Sequence, residues 1–103
     1  MSAVTKKELW KDESSRRVLA EKRATPMGWQ YRMEATSANQ QLAIGLWKRG
    51  SIAAMRSLIT ELNGNTRSLT LQNSISRLTV MKGLLDIVLD SVRRKGIEEA
   101  LEG

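Results

Sequence analysis

A chain of 103 residues, 41% of them hydrophobic, has room for one domain with a modest core. It contains no cysteine and no histidine, which excludes disulfides and thiolate metal sites and leaves only carboxylates, lysines, hydroxyls and Tyr31 for acid–base or nucleophilic work. The net charge of +6 sits in the first half, with ten basic residues against five acidic ones through Arg49 and seven against six from Gly50 onward; such a field favours nucleic acid, anionic lipid or an acidic protein face.

With no Phe, one Tyr and a single Pro at position 26, the composition points to a core of Leu, Ile, Val, Met and Ala and to an all-α fold, since sheets need more frequent turn signals and period-2 patterning. The expected architecture is an antiparallel helical hairpin of two long helices, preceded by a short basic N-terminal helix or arm and assembling into an oligomeric bundle. Residues 1–35 form the arm and hinge, 36–96 the hairpin and 97–103 a short acidic tail.

In chain order, Thr5-Lys6-Lys7-Glu8 matches a capping box and opens a first helix over 5–24. Asp12 and Glu13 each lie four residues before Arg16 and Arg17, the favourable order for pairs on a helix surface. The apolar content is thin, Leu9-Trp10 and Val18-Leu19 with nothing between, so this helix is expected to order on docking. Pro26 and Gly28 then mark a hinge. Trp29-Gln30-Tyr31-Arg32-Met33 reads as a local cap on the core, with an exposed anchor for a partner as the alternative.

A second helix is predicted over 37–62, opened by the capping-box match Ser37-Ala38-Asn39-Gln40 and carrying a stripe of Ile44, Trp47, Ser51, Ala54, Leu58 and Leu62 widened by Met55 and Ile59. Asn63-Gly64-Asn65 ends it, and Thr66 caps a third helix over 66–95. There Leu71, Leu78, Leu85 and Val92 repeat every seven residues, with Ile75, Met81, Val88 and Leu89 between them. Gly45 and Gly50 fall inside the second helix and admit a helix-turn-helix (40–49, turn at Gly50-Ser51, then 52–62 presenting Arg56) or a close helix crossing.

No catalytic residue, cofactor or metal site is expected. Asp86 and Asp90 share a helical face but stand beside Arg93 and Arg94 as a solvated ion-pair surface, and the scattered glycines lack a P-loop ending. No apolar run reaches signal-peptide or membrane-spanning length, so the expected address is cytoplasmic, of a host cell if the chain is viral. The candidate nucleic-acid contacts are Lys6, Lys7, Lys11, Arg16, Arg17, Lys22, Arg23, Arg32, Lys48 and Arg49. The candidate oligomer interface is Ile44, Trp47, Met55, Leu58, Leu62, Leu71, Ile75, Leu78, Met81, Leu85, Val88 and Val92. The functional expectation is a non-enzymatic, self-associating regulator or packaging factor that binds nucleic acid through its basic arm. A structural or assembly subunit, as of a viral particle, and an inhibitor of a partner protein are the alternatives.

Overall fold

Between Trp29 and Thr36 the side chains alternate Trp, Tyr, Met, Ala on one side against Gln, Arg, Glu, Thr on the other, the period of a strand. In the computed structural model, which describes residues 4–64 and 70–94 apart from the side chains of 91–94, this segment is the third strand of a four-stranded antiparallel sheet. The strands β1 (Val4–Lys11), β2 (Arg16–Thr25), β3 (Gly28–Ser37) and β4 (Gln40–Ile44) lie in sequence order, and the helices α1 (Ser51–Asn63) and α2 (Leu71–Arg94) follow.

The all-α, helical-hairpin expectation is therefore overturned: the fold is α+β. The predicted first helix is the β1–β2 hairpin, the front half of the predicted second helix is the end of β3, β4 and an extended connection, and the 35/36 division falls inside β3. A helix-turn-helix is excluded, because 40–49 is not helical. The Thr66 cap, the Val92 side chain and the 97–103 tail lie outside the described residues.

β2 and β3 stay in register through ten pairs, from Arg16↔Ser37 to Thr25↔Gly28. The connection is the two residues Pro26 and Met27; Pro26 has a fixed φ suited to a turn, and Gly28 takes φ +111°, which a side chain would resist. At the other end Asp12 organises the β1–β2 turn. Its Oδ1 accepts from the N–H of Ser14 (2.9 Å) and Arg16 (2.8 Å), and its Oδ2 from the Arg16 guanidinium (2.9 Å). β1 is an edge strand with a bulge between Glu8 and Trp10, and a second bulge in the β3–β4 pairing accommodates Leu42.

Both helices cover one face. α1 lies on β3 and β4, α2 on β1 and β2, and the two helices touch each other little. The sheet contributes Val18, Met33, Ala35 and Leu42 to the core, α1 contributes Ala54, Met55, Leu58 and Leu62, and α2 contributes Val80 and Leu84. Two glycines set the approach: a Cβ on Gly45 would stand 2.9 Å from the backbone nitrogen of Leu58, and one on Gly83 would stand 2.6 Å from the Trp10 ring. Arg77 ties three elements together by donating to Asn73 Oδ1 (2.8 Å), to the Leu62 carbonyl at the end of α1 (2.9 Å) and to the Leu42 carbonyl in β4 (3.0 Å). α1 ends as expected at Asn63, with the Gly64 N–H donating to the Thr60 carbonyl, although Gly64 is extended rather than left-handed.

The Asp12 turn carries a pH prediction. Partial burial pushes this carboxyl up, but hydrogen bonds from the Arg16 N–H, the Arg16 guanidinium and the Ser14 N–H, with the charge of Arg16, outweigh it and hold the carboxyl below the ordinary value of an aspartate. A depressed folded-state pKa adds stability that is fully present above the unfolded value and is lost as pH falls through the folded one. The stability gap between the parent and Asp12→Asn, read by denaturant unfolding, should be constant above about pH 5 and close progressively below it; a gap of the same size at pH 2 and pH 7 counts against this role.

Candidate nucleic-acid interface

The register divides the sheet's charges by end. On the half nearest the Pro26–Met27 turn, 4–7, 20–25, 28–33 and 46–49 carry seven basic residues, Lys6, Lys7, Lys22, Arg23, Arg32, Lys48 and Arg49, against the single acid Glu21. On the opposite half, 8–19 and 34–44 carry Lys11, Arg16 and Arg17 against Glu8, Asp12, Glu13 and Glu34. Formal charge is thus +6 at one end and −1 at the other.

On the helix-bearing face of the basic end, pairing sets Thr5, Lys22, Tyr31 and Lys48 in one row across the sheet. Tyr31 and Lys48 exchange two backbone hydrogen bonds of 2.7 and 2.8 Å, which continue the sheet edge past β4. One row nearer the turn, Trp29 is 54% exposed, and the Lys22 ammonium stands 4.3 Å from its ring centre and 5.7 Å from that of Tyr31. Between this row and the start of α1 lies a cavity of about 140 Å³ lined by Thr5, Lys7, Lys22, Tyr31, Met33 and Ser51.

On the other face the Trp47 ring is flanked by two guanidiniums, Arg23 at 4.1 Å and Arg32 at 4.3 Å. Arg23 also donates twice to Gln30 Oε1, at 3.0 and 2.7 Å. Arg32 donates to Glu21 Oε2 at 2.8 Å, Lys6 reaches Glu21 at 4.0 Å and Glu34 at 3.8 Å, and Glu21 is only 3% exposed. The one acid at this end is thus neutralised by two cations. Arg32 Nε is buried without a hydrogen-bond partner, so the stack on Trp47 and the Glu21 pair together hold the side chain.

The ten basic residues named from the sequence therefore separate. Seven gather at the turn end, whereas Lys11, Arg16 and Arg17 stand at the far end; there Arg16 is bonded to Asp12 and to Ser76 of α2 (3.1 Å), and Arg17 to Glu8 at 3.6 Å. The sequence groups Trp29, Tyr31 and Arg32 as a local cap on the core, but Trp29 is 54% exposed, and the joining of Lys22, Arg23 and Trp47 to this group was not read from it. The signal was the alternation of Trp29 and Tyr31 with Gln30 and Arg32.

The interface candidates also separate. Met55, Leu58 and Leu62 are spent in the chain's own core, Met81 and Val88 pack against it, Ile44 is half-buried, and Trp47 lies between the arginines. Leu71, Ile75, Leu78 and Leu85 are exposed on α2. Asp86 and Asp90 are exposed on the same helix, and among the described residues no group of three or more His, Cys, Asp or Glu side chains could hold a metal ion. No helix among the described residues is long and apolar enough to cross a membrane. No family model matches the chain, and neither does any curated protein or solved structure.

Proposed function

We propose that the protein binds nucleic acid, single-stranded in preference to duplex, along the turn end of its sheet. The observation that carries this reading is the segregation of seven cations to the half that also presents Trp29, Tyr31 and Trp47. Lysines and arginines spaced along a sheet end neutralise successive phosphates, and the exposed Trp29 ring beside them offers a face on which an unpaired base stacks. A duplex keeps its bases stacked on each other and uses only the first of these attractions. Five of the seven cations are delivered by paired strands and Lys48 by a bridge to Tyr31, rather than by a loose arm, so less ordering entropy opposes binding.

The test is fluorescence anisotropy of a labelled oligothymidylate, and of a duplex of equal length, across a salt series. The single strand should bind more tightly, with an affinity that falls steeply as salt rises. Lys22→Ala should flatten the log–log salt slope by about 0.7 for the phosphate contact it removes. Trp29→Ala should cost about 1–3 kcal/mol of binding, while Lys11→Ala at the far end should leave the affinity within about twofold. Absence of binding at low salt, or equal damage from Lys11→Ala and Lys22→Ala, would overturn the assignment, and a preference for duplex would overturn the single-strand part.

A further inference from the structure

α2 has two apolar faces, and the fold uses one. Ser76, Val80, Gly83 and Leu84 are buried against the sheet, with Met81, Ile87 and Val88 packed at the margins. On the other side Leu71 is 78% exposed, Ile75 43%, Leu78 70%, Leu85 63% and Leu89 55%. Adding Lys82, the positions 71, 75, 78, 82, 85 and 89 advance by alternating steps of four and three. That 3.5-residue period is the one that keeps a seam facing a second helix as the two wind around each other.

We infer that this stripe pairs with its copy on a second molecule, the two α2 helices running antiparallel. Self-complementarity argues for a second copy. About a twofold axis at the level of Val80, Leu71 meets Leu89 of the second copy, Ile75 meets Leu85, and Leu78 meets Lys82, so each apolar side chain finds an apolar or methylene partner. The single cation sets the direction. Parallel pairing would place Lys82 against the Lys82 of its mate, whereas antiparallel pairing lays its stem over Leu78 and leaves the ammonium near Asp86, four residues on along its own helix. Antiparallel helix dipoles also attract.

The area is sufficient. Five large side chains at these exposures present roughly 500 Å² per molecule, the size of patch that marks an interaction site, and about 1,000 Å² for the pair reaches the lower range of specific interfaces. The formal charge does not oppose pairing locally, since Arg77 and Lys82 balance Asp86 and Asp90 over 71–90. The resulting particle is a four-layer stack, sheet, helix, helix, sheet, with a nucleic-acid-binding end on each molecule.

The experiment is sedimentation equilibrium of the full chain without nucleic acid, which keeps its outcome separate from that of the binding reading. The parent should show twice its 11.6 kDa mass. Leu78→Asp/Leu85→Asp, placed at exposed positions, should weaken dimerisation at least 100-fold while retaining the helical circular-dichroism signal and cooperative unfolding. A monomeric parent at 100 µM, or a dimer that survives the double substitution, overturns the proposal. Orientation is read by disulfide trapping, since the chain has no cysteine of its own. A mixture of Leu71→Cys and Leu89→Cys chains should cross-link as a heterodimer while neither variant cross-links with itself; self-linking of either overturns the antiparallel register.

Discussion

Leu58→Ala should lower the free energy of unfolding by about 4 kcal/mol, a large part of the roughly 5–10 kcal/mol available to a domain of this size. Leu58 is fully buried in the middle of α1, facing β3 and β4. The hole left by truncation cannot close, because α1 is held at fixed distance from the sheet on two sides. The backbone of Gly45 already stands against the Leu58 amide, and the Ser57 hydroxyl accepts from the Leu46 N–H at 2.8 Å. At the helix end Arg77 holds the Leu62 carbonyl. A site prevented from collapsing retains most of the cavity cost. Urea unfolding should show a lowered midpoint at unchanged slope, while Ile52→Ala, on the exposed side of the same helix, should stay within about 0.5 kcal/mol. A loss below 1 kcal/mol for Leu58→Ala would place α1 elsewhere.

The second large effect is expected at Gly83. By helix propensity alone any ordinary residue there should stabilise α2, by up to about 1 kcal/mol for alanine. The Trp10 indole occupies that space, so Gly83→Leu must drive the ring off the helix or the helix off the sheet, at a net loss of about 2–3 kcal/mol. A Cβ alone already meets the ring, so Gly83→Ala should also destabilise the parent. The double-mutant cycle separates the two contributions. In a Trp10→Ala background the obstacle is gone, and Gly83→Ala should change sign and become stabilising. Destabilisation of equal size in both backgrounds would show that the glycine serves something other than the indole.

The two helices were the legible part of the chain. The stripe of Ser51, Ala54, Leu58 and Leu62, widened by Met55, is the set α1 buries, and the 3.5-residue repeat of α2 was visible because among the described residues no other element covers it. The strands were hidden by their chemistry. β1 and β2 are built mainly from Lys, Arg, Glu, Leu and Ala, all good helix formers, and the face away from the helices is a network of ion pairs instead of a polar row beside an apolar one. Alternation survives only where α1 and α2 cover the sheet, at Val18 and Ala20 and through Tyr31 to Ala35.

One local contact was read correctly in the wrong setting. Asp12 and Arg16 do pair, at 2.9 Å, across a tight turn that brings positions i and i+4 together as a helix would. Glu8 of the supposed capping box instead pairs with Arg17 on the adjacent strand. The contacts that join Gly83 to Trp10, Arg16 to Ser76 and Arg77 to Leu42 link residues 35 to 73 positions apart, and no local pattern announces them. For the candidate site, the basic residues were countable from the start, but their division between the ends of the sheet depends on register, and one residue of slip would have moved every side chain to the opposite face.

Among the described residues no strand pairs with the outer side of β1, and a row of free amides and carbonyls is an invitation to further strands, from another copy of this chain or from a misfolded one. Lysines at 6, 7 and 11 stand along that border, and the bulge at Leu9 breaks its repeat where the apolar pair Leu9-Trp10 would otherwise be most adhesive. Lys6 and Lys7, two of the cations in the proposed nucleic-acid interface, therefore also guard this edge against amyloid-like stacking, and on that proposal a bound polyanion that neutralises them lifts part of the guard.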